Sequence, residues 1–595
     1  MKFAMDRRAY NRFLLLVAGL GGLLYGIDVG IIAGALPYLE ATSGLNAGQL
    51  SFVVAAVLLG SVISTLFAGL LADWMGRKPL MAASGVLFVV SVPIIALAHG
   101  YAPLVLGRLL QGISGGLIGV VVPLYLAECL GAAERGRGTA VFQWLLTLGI
   151  VAAALVGMYF SLRVHAVAAL GDASRLLAFK DQAWRSIFWV SLPPGILFVV
   201  GSLLVAESPR WLFRRGRSEA ARLALLRSRT AADSDLELQL MQSSAAAASA
   251  PNRHAGADSL LRRKYVVPFL LACVILACTQ ATGVNSIIGY STTIFLQSGL
   301  SDLQAHWGYV ILTAVNFLMT IGAVMLVDRK GRKFLLGLGT GGIVIALLVT
   351  ALLFRHTEQR RVDVAPALAA LVTPDQTLRL RFDPATAGRL AASVAAPDAP
   401  PLRMPTSLIV IYSCGDFHVA SPVVRSNDPA APPLEVSRAA CLPANQVVAF
   451  FSNPFADFDR SRRARLTIDH AILTPVPSVS MGWMVAASLF VFMAFFALGP
   501  GVVVWLALSE LMPTRIRSNG MSIALLINQA VSTVVAAVFL PTVGRYGYAS
   551  MFFIFAGSTA IYFITALFFL PETKGKTLEE IELFFAGTAG GAPTG

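Results

Sequence analysis

Runs of about twenty apolar residues, separated by short polar breaks, recur along the whole chain. Twenty residues is the length an α-helix needs to cross a hydrocarbon layer about 30 Å thick. The runs place spanning helices at 12–35, 50–72, 79–98, 102–126, 138–160 and 184–206, then at 266–291, 307–327, 334–354, 482–509, 519–541 and 547–570. Six precede a polar stretch at 207–265 and six follow it. The pattern predicts an all-α polytopic membrane protein with 12 transmembrane helices in two six-helix bundles. The first bundle is 1–206; the second is 266–354 with 482–570. Residues 207–265 read as a linker with short helices and 571–595 as a polar tail.

Short polar motifs repeat between the halves. DWMGRK at Asp73 returns as DRKGRK at Asp328, and ECLGAAER at Glu128 as ELMPTRIR at Glu510, each Glu followed seven residues on by an arginine, Arg135 or Arg517. ESPR at Glu207 is answered more loosely by PETKG at Glu572. The first two motifs stand 55 residues apart in the first half and 182 in the second, so the second half carries 127 extra residues. The excess matches an insert at 355–481, rich in Pro, Arg and Asp, whose β-like runs LIVIYS and QVVAFF are too short to span.

Charge sets the expected orientation. Arg77, Lys78, Arg135, Arg137, Arg329, Lys330, Arg332, Lys333, Arg515 and Arg517 fall in short loops on one side, against Arg545 opposite. The positive-inside rule then puts both termini in the cytoplasm, the chain in a cell (inner) membrane and the insert outside it. Cys414 and Cys441 both fall in the insert, where oxidation is permitted, and a disulfide between them is expected; two free thiols in a flexible linker are the alternative.

Composition changes the picture only by exclusion. With 56% apolar and 13% charged residues, the 595-residue chain is no ordinary soluble enzyme. Its net charge of +14 would raise nucleic-acid binding in a soluble protein, but here the basic residues sit between the apolar runs and no nucleic-acid partner is expected. Five cysteines without a CxxC or Cys/His cluster argue against a metal or haem, and no cofactor is expected. The first apolar run lacks a small-residue cleavage site and reads as a retained helix.

The pattern G-x-x-x-D-x-x-G-R-K, at Gly69, Asp73, Gly76, Arg77 and Lys78, sets an acid at a helix end beside two bases in a tight turn. With GGLLYGID, GRLLQGISGG, PLYLAE, ESPRWL, TQATGVN, VDRKGRK, GPGVVVWLALSE and PETKGKTLEEIE in the same order, the chain resembles the sugar porter family of the major facilitator superfamily over nearly everything except the insert. That family includes proton symporters of xylose and galactose and facilitative glucose transporters. The resemblance implies the major facilitator fold, a sugar or polyol substrate, alternating access in the lipid bilayer and no enzymatic activity; a monomer is expected.

Ionisable residues inside spanning runs are costly and mark function. Asp28 in helix 1 and Arg108 in helix 4 are such a pair. The resemblance makes them the proton-coupling residues; a static ion pair joining the two helices is the alternative. Amides that can match sugar hydroxyls lie at Gln143, Gln280, Asn285, Asn316 and Asn528. Gln280 and Asn285 are five apart, so they converge only if helix 7 is distorted near Gly283. Tyr25 and Trp505 would supply aromatic walls.

The family positions are altered in places. Thr279 stands where a first glutamine of helix 7 is usual, Gly289 where a tyrosine is usual, and Gln529 where a tryptophan often follows the helix 11 amide. These changes weigh against assuming glucose or xylose. Around the cytoplasmic mouth, Asp73, Arg77, Glu128, Arg135, Glu207, Arg210, Asp328, Arg332, Glu510 and Arg517 resemble an inner gate whose ion pairs close that side in one state and part in the other.

Overall fold

The computed structural model describes residues 6–130, 132–249, 262–394, 405–427, 433–443, 446, 456–512, 516–572 and 584–585. Helices 1 to 6 run Arg7–Ser43, Ala47–Met75, Arg77–Ala96, Tyr101–Cys129, Ala132–Ala168 and Ala173–Leu204. Helix 7 is in pieces, Arg263–Ala281, Val284–Gly289 and Ser291–Gln297. Helices 8 and 9 are Asp302–Lys330 and Arg332–Glu358, and helix 10 is Val479–Leu498 continued by Pro500–Leu511. The stretch Arg517–Ile564 breaks at Gly547 (φ 89°) into helices 11 and 12, and a π-helical turn, Thr565–Phe569, ends it.

Several helices outrun their apolar spans. Helix 6 starts at Ala173, capped by the Asp172 carboxylate, which accepts the Ser174 and Arg175 N–H groups. Hydropathy reports the part that must sit in hydrocarbon, whereas backbone hydrogen bonding carries on into water until a cap stops it. Helix 1 ends at Gly44 in the left-handed region, and helix 2 opens with a capping box between Asn46 and Gln49. Helix 1 lies so close to helix 5 that a side chain on Gly26 would collide with the Leu146 carbonyl.

The linker forms helices Pro209–Arg214, Ser218–Ser228 and Ala231–Ser249. Helix 9 reaches Glu358 and helix 10 begins at Val479, and between them the insert folds with a core of its own. Its strands are β1 (Val362–Asp363), β2 (Thr377–Leu380), β3 (Thr406–Cys414), β4 (Phe417–Ala420), β5 (Val424–Arg425), β6 (Leu434–Ser437) and β7 (Leu466–Pro475). One antiparallel sheet runs β1-β7-β3-β4 with β5 also on β3, and β2 pairs with β6. Leu368, Leu390, Leu408, Val410, Tyr412 and Leu473 fill its interior. The run LIVIYS is the centre of β3, as its β-branched content predicts; QVVAFF after its first residue, Gln446, lies outside the described residues. The chain is therefore all-α in the membrane and α+β in the insert.

Cys414, at the end of β3, and Cys441, at the end of the short helix Arg438–Cys441, are both buried free thiols. Their side chains are in hydrogen-bond contact, and the Cys441 thiol also donates to the Phe417 carbonyl at 3.3 Å. The contact between them holds the Cys414 thiol below its ordinary value and pushes Cys441 up.

The insert sits on both halves. Glu40, near the end of helix 1, accepts the Val423 N–H, and Asn46, capping helix 2, donates to the Ala440 carbonyl at 3.4 Å. From the second half, the Leu296 carbonyl of helix 7 accepts from Arg425. A small cavity of about 70 Å³, with Glu358, Arg361, Arg425 and Tyr548 in its wall, lies at this junction.

Candidate functional site

The break in helix 7 is what assembles the site. Gly283 takes φ 81°, a conformation open to glycine, and packs against Phe555 where a Cβ would clash. The turn brings Asn285 back towards Gln280: Asn285 Nδ2 donates to Gln280 Oε1 at 2.9 Å and to Ser532 Oγ of helix 11 at 2.7 Å. Gln280 Nε2 donates to Asn528 Oδ1 at 3.1 Å, and Asn528 Nδ2 to the Leu276 carbonyl at 2.9 Å. Three of the amides expected from the sequence thus form one network, with Ser532 added. Gln280 and Asn285 stay part-exposed, so each keeps hydrogen-bonding capacity for a polyhydroxyl ligand.

The other expected positions divide. Asn316 is nearly buried on helix 8, and Gln143 is part-exposed on helix 5. Thr279 is turned away from the network: its hydroxyl hydrogen bonds to the Ile275 carbonyl at 2.8 Å and to the Tyr562 hydroxyl at 3.1 Å, because the side chain before Gln280 points to helix 12. Tyr25 lies against Gly115 and Gly119 of helix 4, and its hydroxyl hydrogen bonds to Gln529 of helix 11, linking the two halves. The Trp505 side chain lies outside the described residues.

Asp28 follows Tyr25 by three residues, on the same face of helix 1, and is completely buried. Arg108 is 2% exposed, and its Nη1 stands 3.6 Å from Asp28 Oδ1. That is an ion pair but too long for a hydrogen bond. Arg108 Nη1 instead donates to Gln111 Oε1 at 2.7 Å, and the guanidinium lies over the Phe188 ring of helix 6. Neither Asp28 oxygen receives a hydrogen bond from the described residues. Among the described residues the carboxylate thus has Arg108 as its neighbouring cation in a fully buried site, where an unpaired charge is costly.

At the linker end the charges are grouped by half. Arg77, 1% exposed, pairs with Asp73 at 3.0 Å and with Glu128 at 2.9 Å, and Arg214 of the linker reaches the same two carboxylates at 3.5 and 3.3 Å. Glu207 Oε1 accepts the Arg77 and Lys78 N–H groups at 3.0 and 3.1 Å, capping helix 3 just after Gly76 (φ 101°). Burial pushes the Glu207 carboxyl above its ordinary value in spite of these donors. Glu572 does the same for helix 9, accepting the Arg332 and Lys333 N–H groups at 3.0 and 3.1 Å after Gly331 (φ 91°).

Arg210 does not join the expected gate: it pairs with Glu237 of the linker at 4.0 Å. The side chains of Arg135, Asp328, Glu510 and Arg517 lie outside the described residues. No ion pair among the described residues crosses between the halves at this end.

The opposite end, beneath the insert, holds a cluster that the sequence reading missed. Asp302 Oδ2, at the start of helix 8, accepts from the Tyr38 hydroxyl of helix 1 at 2.9 Å and the Ser161 hydroxyl of helix 5 at 2.6 Å, with His306 one turn on. An i, i+4 Asp/His pair is a legible signal, but the apolar run of helix 8 begins at 307, so both fell outside the expected span.

Comparisons with known proteins agree with this architecture. The family model described as "Sugar (and other) transporter" matches residues 14–373 and 466–585, leaving out most of the insert. The chain is 25% identical to the glucose transporter GlcP of Staphylococcus epidermidis, over 96% of this chain and 97% of that protein. It is 27% identical to the human proton myo-inositol cotransporter, over 97% of this chain and 82% of that one. Among solved structures, the xylose transporter XylE from E. coli in a partially occluded inward open conformation superposes with a TM-score of 0.61 at 19% identity, covering 95% of this chain and 100% of the other.

Proposed function

The chain belongs to the sugar transporter family, and from that membership we propose that it carries a sugar or polyol across the membrane together with a proton, by alternating access. The observation that carries the proton is Asp28: a carboxyl wholly buried in helix 1, without a hydrogen-bond donor among the described residues and with Arg108 at 3.6 Å. Charged, it attracts Arg108 and holds helices 1 and 4 in one packing. Neutral, it loses that attraction, and the packing equilibrium shifts. The human relative named for proton-coupled inositol transport makes this coupling a natural reading.

The sugar site is the amide network of Gln280, Asn285 and Asn528, with Ser532 beside it and Tyr25, Gln143, Asn316 and Trp505 as further walls. Amides paired to one another exchange those bonds for sugar hydroxyls at little cost, which suits a substrate that must also leave. The relatives' names put hexoses and inositols first among substrates to try. Orientation follows the loop charges: inner membrane, both termini cytoplasmic, insert outside, a single chain as the working unit. The linker-end charges act as the cytoplasmic gate, their ion pairs closing that side in one state and parting in the other.

The test is sugar uptake into proteoliposomes with and without an imposed proton gradient. Wild type accumulates sugar above equilibrium only with the gradient. Asp28→Asn, a permanent stand-in for the protonated form, stops at the equilibrium level yet still exchanges loaded substrate. A wild type indifferent to the gradient, or an Asp28→Asn variant that still concentrates sugar, defeats proton coupling through this residue and leaves a passive facilitator.

A further inference from the structure

His306 is completely buried at the insert end, between the two halves. Its Nδ1 is 2.9 Å from the Asp302 carbonyl on its own helix, and its Nε2 is 3.3 Å from the Gly34 carbonyl on helix 1. A carbonyl oxygen only accepts, while a neutral imidazole has one N–H and one lone pair. The neutral ring must therefore aim a lone pair at one of the two oxygens. Only the doubly protonated ring donates at both ends. Its counter-charge is in place: Asp302 Oδ1 lies 3.6 Å from Nδ1.

The remaining surroundings fit a cation held between the halves. The Tyr38 ring of helix 1 stacks on the imidazole, with centroids 5.6 Å apart and an interplanar angle of 8°. Helix 5 contributes Gly157, where a Cβ would come 3.4 Å from His306 Cδ2, and Ser161, which donates to Asp302. Further along helix 8, Tyr309 donates its hydroxyl to the Gly30 carbonyl at 2.8 Å. Among these facing groups the titratable ones are Asp302, Tyr38 and Tyr309, and Asp302 alone is an acid.

We propose that His306 is a second proton-binding residue of the transport cycle, a gate residue whose doubly protonated ring closes the insert end by bridging helix 8 to helix 1. When the halves part, the ring leaves the Gly34 carbonyl and meets water on the insert side, where it gives up the proton; closure takes one back from the same side. Closure is then favoured by the doubly protonated ring and weakens when the ring gives up its proton. The proposal rests on the alternating-access reading and is separate from coupling at Asp28.

The experiment uses the full chain in liposomes, carrying spin labels on non-natural side chains at Gly48 in helix 2 and Ser480 in helix 10, in an Asp28→Asn background that removes the proposed coupling acid. Pulsed EPR reads the fraction with the insert end closed. The expected result is a fall of roughly tenfold in the closed-to-open ratio between about pH 5 and pH 8, abolished by His306→Gln, which donates to Gly34 without titrating. Should His306→Gln not fold, Asp302→Asn removes the counter-charge and moves the midpoint of closure to lower pH. A parent without pH response, a His306→Gln variant with the parent's response, or an unmoved midpoint in Asp302→Asn overturns the proposal. Sugar counterflow on the same samples separates it from the transport reading: counterflow without His306-dependent closure sinks this inference alone, and His306-dependent closure without counterflow of any sugar sinks the transport reading alone.

Discussion

The two ends of the molecule solve the same packing problem with opposite chemistry. Beneath the insert, the halves are stitched together by hydroxyl hydrogen bonds: Tyr309 donates to the Gly30 carbonyl, Thr292 to the Ala33 carbonyl and Tyr290 to the Ser51 hydroxyl, which in turn accepts the Leu540 N–H. At the linker end, Arg77 pairs with Asp73 and Glu128 inside the first half, and Glu207 and Glu572 each accept backbone N–H groups inside their own half. Short hydroxyls reaching carbonyls require close helix approach, so they register a closed interface. Contacts made within one half persist whether or not it touches the other. The described interface beneath the insert is accordingly closed.

The comparison breaks most easily at Arg77. Arg77→Ala leaves Glu128 buried beside Asp73 with the half-exposed Arg214 as the remaining described cation, and it should cost roughly 3–5 kcal/mol. Thermal unfolding in detergent reads this as a large drop in apparent midpoint. Arg332→Ala, at a less buried site, should lower it by less; equal losses would mean that burial does not set the difference between the halves.

A smaller effect sharpens the insert end. Thiol oxidation should join Cys414 to Cys441, since their side chains already touch, and closing that loop should stabilise the insert by about 3 kcal/mol. Intact mass before and after oxidation, with Cys414→Ser as control, reports the bond; a chain whose two thiols both stay alkylatable under oxidant argues that the core holds them apart.

Ser161→Ala should cost about 1.5–3 kcal/mol in the closed form alone, because it removes a donor from a carboxylate that helices 1, 5 and 8 share. The label distance that reports closure should lengthen while the unfolding midpoint hardly moves; the reverse pattern would make the cluster a fold element, not a gate.

The smallest effect belongs to Glu207. Its carboxyl lies above the ordinary value in the folded chain, so the stability it contributes is fullest below about pH 4.3 and fades as pH rises through the folded value. Glu207→Gln should therefore change stability at pH 7 by under about 1 kcal/mol and flatten the pH dependence in that window. A profile identical to wild type would assign that titration to another group.

Legibility followed how local each signal was. Asp28 and Arg108 stood out because charge inside an apolar run is costly wherever the partner lies. The convergence of Gln280 and Asn285 could be stated as a condition, since five residues on a regular helix point them apart and Gly283 is the residue able to relieve that. Ser532 gave no such signal, because a serine in a helix is ordinary until the fold brings it 2.7 Å from Asn285. The insert's fold was illegible for a different reason: seven short strands with no spanning run leave pairing to contacts far apart in sequence, such as Val362 with Leu473.

By itself, then, the sequence determined the number and order of spanning segments, the two-fold repeat, the place of the insert and the family, because each is written in hydropathy over one helix length or in motifs of a few residues. Only the tertiary structure decided which partners those segments find. It turned Thr279 to Tyr562, gave Arg210 to Glu237, left Cys414 and Cys441 as neighbouring thiols and set His306 between two carbonyls. Each of these depends on the angle at which one helix or strand meets another. That angle comes from packing summed over many residues, and no single stretch of sequence encodes it.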